Sequence, residues 1–349
     1  MLQKINIINF RSIDKKELFF KEKNIIIGPN GAGKTNILQA ISILFGNNIF
    51  GYKDNHILKD NTDFLFIEGV FIESSFEYKI SFSYDKKLEK KTYSINGKKI
   101  SKKELLKKSL KTSYFSPKDM NLFYLGPSSR RDFINNILGN IYPDYLLELK
   151  KYDTILKNRN KILKNIFEGK SKEEEIIFWD NKFIESCQKI YDYIIPLNSY
   201  LETNLLKESD IFKNENIKLN YRYNSKVDFK NIGESIKNYL DKNLKRDIIL
   251  GRTHIGPHID DFNIFIGEIE VSNFASRGEL KSIILKLKLL EIDYIKHITS
   301  KTPLLLIDDF QSELDENHLN ILKNNLKNLQ VIYTSINTIN KELYNNINI

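Results

Sequence analysis

Apolar and polar residues alternate from Leu2 to Phe10 (LQKINIINF), the pattern of a strand with one buried face. A continuous short run, Asn24-Ile25-Ile26-Ile27, reads as a strand buried on both sides. A glycine-rich segment follows, and then Ile37, Leu38, Ile41, Leu44 and Phe45 recur at helical spacing. Residues 64–95 (FLFIEGVFIES, FEYKISFSY, KTYSING) alternate between turn signals and predict an antiparallel patch. The lysine-rich stretch ISKKELLKKSLKTS at 100–113 predicts a helix with solvated lysines, and 127–206 predicts two long helices, an arm reaching about 45 Å at 1.5 Å per residue. The final third alternates again. It predicts a strand near 262–271, a helix from Gly278 to Lys296, an apolar strand Pro303 to Ile307, a helix from Asp315 to Leu329 and a strand Gln330 to Thr334. The expected fold is α/β with a mixed sheet. Its head is assembled from 1–115 and 250–349, and 116–249 form an inserted helical arm, so the two ends of the chain must meet in one sheet.

The glycine-rich segment, GPNGAGKTN, satisfies G-x-x-x-x-G-K-[ST] directly after a strand and at the opening of a helix, the context a phosphate-binding loop requires. Gly28, Pro29, Asn30, Gly31, Ala32, Gly33, Lys34, Thr35 and Asn36 are therefore the expected nucleotide-binding residues. Backbone N–H groups freed by the glycines cradle phosphate oxygens, and the helix N-terminus adds partial positive charge. Lys34 reaches the β- and γ-phosphates of ATP, and the Thr35 hydroxyl ligates Mg²⁺.

Four apolar residues ending in two aspartates, in LLLIDDFQSELDE, describe a buried strand whose carboxyl end opens on a site, the edge where ligands bind in open α/β sheets. Asp308 is the candidate Mg²⁺ ligand, directly or through water, and Asp309 the group that orients or deprotonates an attacking water. The plainer reading is an acidic pair at a helix start. Upstream lies SRGELKSIILKLKLLE, in which Leu280, Ile283, Ile284, Leu287 and Leu290 form a core stripe. Ser276 is either the cap of that helix or, with Arg277, Gly278 and Glu279, a second phosphate-contacting surface.

Charge and composition change the picture only a little. Lys and Arg outnumber Asp and Glu by 54 to 45, a net +9, which is compatible with nucleic acid but also follows from a general Lys, Asn and Ile bias. One cysteine, Cys187, excludes an internal disulfide or a cysteine metal cluster and suits a reducing compartment. No apolar run reaches the length of a spanning helix, so no membrane role is expected and the cytoplasm is the expected location. His254 and His258 stand four apart near Asp260 and Asp261, but the Gly and Pro between them argue against a shared helix face for metal.

The order of these motifs (phosphate loop, S-x-G-[EQ] helix, apolar strand with an acidic pair, then Ser312-Glu313-Leu314-Asp315) is similar to that of the ABC-type ATPases. The resemblance implies that Ser276 and its neighbours act in trans on ATP held by a partner head. It makes Ser312 to Asp315 a D-loop at the dimer seam, and it puts Thr334 and Ser335 at the switch position where many members carry a histidine. Within that class the chain resembles the RecF family of bacterial DNA replication and repair proteins. The resemblance rests on NFRSI, GPNGAGKTNILQAI, YFSPKDMNLFYLGPSSRRDFIN, GRTHIGPHIDDF, SRGELKSIILKLKLLE and LLLIDDFQSELD.

That family resemblance implies an ATP-driven head-to-head homodimer that holds duplex DNA at single-strand gap junctions. It also implies slow, weakly DNA-dependent hydrolysis and a RecR-type mediator through which recombinase is loaded. It puts Arg11 near the nucleotide, the alternative being an exposed arginine at a strand end. Arg130 and Arg131 match the family's paired arginines, with a role in DNA contact, partner contact or the fold left open. Family members usually carry Glu where Gln39 stands and Arg where Ile259 stands. Three rivals fit less well. A P-loop kinase needs no SRGE or SELD, a transporter ATPase subunit needs no helical insertion, and chromosome-structural heads carry far longer coiled coils.

Overall fold

The computed structural model describes every residue except 47–55, 74–75, 206–218, 310–325, 327 and 337–343. Its contacts divide the chain into two compact units, Met1–Met120 with Lys281–Ile349, and Asn121–Leu280.

The first unit holds two sheets. Strands β1 (Leu2–Phe10), β2 (Ile13–Phe19), β4 (Phe64–Glu73), β5 (Phe76–Asp85), β6 (Lys90–Ile95) and β7 (Lys98–Ile100) form an antiparallel sheet in the order β2-β1-β4-β5-β6-β7. Its alternation is that read from the sequence, with Leu2, Ile5, Ile7 and Phe10 of β1 and Leu65, Ile67 and Phe71 of β4 all fully buried. A parallel sheet runs β14-β3-β13-β12-β8, from β3 (Lys23–Ile27), β8 (Thr112–Phe115), β12 (Leu304–Ile307), β13 (Val331–Ser335) and β14 (Asn345–Asn348). All four residues of β12 are buried, as a parallel strand covered on both faces requires. Both ends of the chain thus supply strands to one sheet. Helix α1 (Lys34–Leu44) packs on the antiparallel sheet. At Gly69 of β4 an added Cβ would stand 2.5 Å from Leu44 Cδ2, so only glycine admits the helix this closely. Ile37, Leu38 and Ile41 share one core with Ile67 of the first sheet and with Leu306 and Ile332 of the second.

One expectation fails here. Only Lys102–Lys108 of the segment 100–113 is helical (α2), and Thr112 onward is strand β8, paired in parallel with β12. Lys111 is buried rather than solvated. Its ammonium donates to the Leu106 carbonyl at 2.5 Å, and burial pushes its pKa down to about 8.

The second unit contains α3 (Pro127–Ile141), α4 (Pro143–Phe167), α5 (Ile176–Leu205), α6 (Ile232–Leu250) and the short α7 (Val271–Phe274). Beside them lies an antiparallel sheet β11-β10-β9, from β9 (Leu219–Asn224), β10 (Asp261–Ile266) and β11 (Ile269–Glu270). Strand β9 and helix α6 were not anticipated. The sequence put a boundary at residue 250, whereas this unit continues to Leu280 because polar groups of 252–262 are bound to its helices. Arg159 of α4, 0% exposed, pairs with Asp180 at 2.6 Å and Asp247 at 3.2 Å and donates to Thr253 Oγ1 at 2.7 Å. Helix α8 (Arg277–Thr299) carries the predicted core stripe. Among the described residues, no helix is long and apolar enough to cross a membrane.

Candidate nucleotide site

Parallel strands in register bring their carboxyl ends to one edge. Ile27 lies opposite Ser335, and Ile307 opposite both Tyr333 and Phe115. The residues that follow, Gly28 and Asp308, therefore open on the same edge, one strand apart across β13. At Gly33 the backbone turns with φ 91°, a left-handed conformation that favours glycine, and an added Cβ would lie 3.1 Å from Ser12 Oγ. At Gly28 a Cβ would meet the Ile349 carbonyl oxygen at 2.9 Å and Ala32 Cβ at 3.2 Å. Among the described residues no side chain caps α1, which leaves its first N–H groups available to an anion.

Lys34 is 8% exposed and lies back along the loop, with Nζ donating to the carbonyls of Gly28 at 2.7 Å and Pro29 at 3.0 Å. The Thr35 hydroxyl donates to Asp308 at 2.8 and 3.1 Å from its two carboxylate oxygens. Asp308 also accepts from Thr334 Oγ1 at 2.7 Å and from the Tyr114 hydroxyl at 3.1 Å. Burial and the adjacent Asp308 carboxylate push the Tyr114 phenol far up, so it remains a donor at any physiological pH. Asp308 is thus a carboxylate only 9% exposed whose hydrogen-bond partners among the described residues are all hydroxyls, none of them a cation. Two hard oxygen donors, Thr35 and Asp308, stand side by side beneath the phosphate loop and would suit a hard cation such as Mg²⁺.

Asp309 has φ 40°, uncommon for a residue other than glycine, and its N–H donates to Thr334 Oγ1 at 2.9 Å. Thr334, 1% exposed on the strand between β3 and β12, therefore holds both aspartates. The family resemblance puts Thr334 at the switch position. Its proton goes to Asp308. Arg11 lies with φ 51° at the end of β1, and its Nη1 donates to Gln39 Oε1 at 2.5 Å. A neutral amide at position 39 fixes the guanidinium without cancelling its charge. Asn36 is held by Ser12, its amide donating to Oγ at 2.7 Å.

Ser276 sits at the start of α8 in a reciprocal cap. Its N–H and hydroxyl donate to Glu279 Oε2 at 2.8 and 2.7 Å, and Glu279 N–H returns to Ser276 Oγ at 3.3 Å. Ser276, Arg277 and Gly278 are exposed. At Gly278 an added Cβ would stand 4.0 Å from Ser276 Oγ. The expected D-loop, Ser312 to Asp315, lies outside the described residues.

The paired arginines prove to be internal. Arg130 is bidentate to Asp261, Nε to Oδ1 at 2.7 Å and Nη2 to Oδ2 at 2.8 Å, and its Nη1 donates to the carbonyls of Leu122 and Leu125. Arg131 donates to the Asp260 carbonyl at 3.1 Å. Removing the Arg130 guanidinium strands a mostly buried carboxylate, so Arg130→Ala is expected to destabilise the protein by about 3–5 kcal/mol in denaturant unfolding. A change near zero would return Arg130 to the candidates for DNA contact. His258 donates from Nε2 to the Thr253 carbonyl at 3.1 Å and accepts the Tyr152 hydroxyl on Nδ1 at 2.5 Å, while His254 Nδ1 lies 2.8 Å from Asp247. Both imidazoles serve as hydrogen-bonding groups of the second unit. Ile259 is partly exposed, at 36%.

Comparison with known proteins gives one answer. The family model described as RecF/RecN/SMC N terminal domain matches residues 1–348. The DNA replication and repair protein RecF of Thermoanaerobacter sp. (strain X514) is 35% identical over 335 residues, covering 93% of this chain and 91% of its own. The protein of the same name from Clostridioides difficile (strain 630) is 32% identical, covering 100% and 95%. A solved structure of the recombination mediator protein RecF with ATP, in the RecFOR pathway, superposes with a TM-score of 0.85 at 32% identity, covering 97% of this chain and 92% of that one.

Proposed function

We propose a function for this chain on the premise that it belongs to the RecF/RecN/SMC N-terminal domain family and, within it, to the RecF proteins of DNA replication and repair. It is a DNA replication and repair protein that binds ATP in the loop Gly28 to Asn36. The observation that carries this reading is the meeting of Thr35 and Asp308, 2.8 Å apart, beneath a phosphate loop whose helix no side chain caps.

Magnesium, when bound, neutralises developing phosphate charge and orients the γ-phosphate. Thr35 and Asp308 hold it. Lys34 leaves the carbonyls of Gly28 and Pro29 to contact the β- and γ-phosphates, and Arg11, fixed by Gln39, adds charge from the side. Asp309 orients the attacking water and accepts its proton. With the Thr334 proton committed to Asp308, the γ-phosphate contact expected at the switch falls to Ser335.

Two such heads close on ATP, each presenting Ser276 to Gly278 to the partner's nucleotide. The exposure of these residues supports that contact. The dimer clamps duplex DNA at single-strand gaps, and slow hydrolysis releases it. It works in the cytoplasm, the compartment its lone Cys187 suits, with a RecR-type mediator as partner for recombinase loading. The head is assembled from both ends of the chain, Met1–Met120 with Lys281–Ile349, and Asn121–Leu280 form the second unit.

Sedimentation velocity of a fluorescent gapped duplex tests this, with ATP·Mg²⁺ and without nucleotide. Two protomers are expected on the DNA only with ATP·Mg²⁺. Ser276→Arg is expected to abolish that complex while the monomer still binds ATP, at a cost of about 1 kcal/mol for the lost cap. Loss of nucleotide affinity in the monomer itself would contradict the role in trans. A protein that stays monomeric and off DNA in every condition would remove the clamp.

A further inference from the structure

We infer that Tyr114 is a positioning residue for the magnesium ligand Asp308, and that Lys288 holds Tyr114 in that role. The inference rests on the reading of Thr35 and Asp308 as the metal-binding pair and extends it to residues with no part in the nucleotide motifs.

Tyr114 lies on the edge strand β8, in register with Leu306 of β12, two residues before Asp308. Its hydroxyl donates to Asp308 Oδ2, while Thr334 donates to Oδ1. One donor on each oxygen fixes the plane of the carboxylate. The Thr35 hydroxyl spans both oxygens, and a bound metal ion would be held between it and Asp308. Groups that hydrogen-bond a metal-binding carboxylate orient it, and their loss typically lowers metal affinity 10–100-fold.

Tyr114 is in turn held from behind. Lys288 of α8, its side chain 12% exposed, donates to the Tyr114 carbonyl at 2.9 Å and pairs with Asp119 and Glu291, each at 3.1 Å. Ser113 donates to the other oxygen of Glu291 at 2.7 Å, and Ser116 N–H donates to Asp119 Oδ2 at 2.7 Å. A single cation with two carboxylates thus latches 113–119 to α8. Both acids and burial act on the ammonium, and the acids win, raising its pKa. The cation stays charged, so the latch does not open with pH near neutrality.

The test is a magnesium titration of methylanthraniloyl-ATP bound to the full-length protein, followed by fluorescence, for the parent and Tyr114→Phe. This change removes one hydroxyl and keeps the ring. The half-saturating Mg²⁺ concentration is expected to rise roughly 10–100-fold, with the affinity for the probe in EDTA and the melting temperature unchanged to within about 2 °C. An unchanged magnesium dependence overturns the inference. So does a parallel loss of EDTA affinity and melting temperature, which marks a purely structural tyrosine. If the parent itself shows no magnesium-dependent binding, the metal pair is what fails, and the two failures are thereby separable. Lys288→Arg keeps a cation for Asp119 and Glu291. It is expected to shift the magnesium midpoint in the same direction as Tyr114→Phe but by less, and a midpoint equal to the parent's removes Lys288 from the proposal.

Discussion

Lys34→Ala is expected to weaken ATP binding by at least about 100-fold. A hydrogen bond to a charged group contributes about 1.5–3 kcal/mol, and on the proposed reading the ammonium would make such contacts with both the β- and γ-phosphates. The two together amount to about 3–6 kcal/mol, and each 1.4 kcal/mol is a factor of ten. The low exposure of Lys34, 8%, keeps solvent from screening the contact. Of the two carbonyls that Lys34 leaves, that of Pro29 lies on an exposed residue and that of Gly28 is buried, so the fold also loses some stability. Equilibrium titration with a fluorescent ATP measures the loss, and a melting curve without nucleotide separates it from unfolding. Parental affinity in a well-folded Lys34→Ala protein would remove the phosphate-loop assignment, and with it the clamp.

The nucleotide site was readable because its chemistry is local and its backbone demands are severe. Gly33 needs a left-handed turn against Ser12, Lys34 and Thr35 must follow it, and β12 must be apolar throughout to lie inside the sheet, between β13 and β8, with Asp308 at its end. What lies around the site was not readable, for reasons of the same kind. Strand β8 has four residues beside a run of lysines whose spacing suits a helix, and its partner β12 is far away in sequence, so no local pattern announced the pairing. Tyr114 therefore had no visible role. Arg130 and Arg159 look in sequence like any surface arginine on a polar helix. Their burial depends on Asp261, Asp180 and Asp247, which other elements supply. The same bonds explain why the second unit extends beyond residue 250.

Asp309→Asn is expected to leave ATP binding intact and to slow single-turnover hydrolysis by roughly 100–10,000-fold, the range for losing a general base. Asparagine preserves the size of the side chain. It also tolerates the left-handed backbone of this position, φ 40°, better than most residues, so the N–H bond to Thr334 is retained. What is lost is the acceptor of the water's proton. If ATP closes the heads and hydrolysis opens them, the variant's DNA complex must outlive the parent's by a factor comparable to the loss in turnover. Both rates are measurable on one sample, hydrolysis by quench and release from gapped duplex by dilution into competitor DNA. Unchanged turnover would leave Asp309 without a catalytic role. Slowed turnover with unchanged release would separate the two events, and ATP would then close the clamp without its hydrolysis being what opens it.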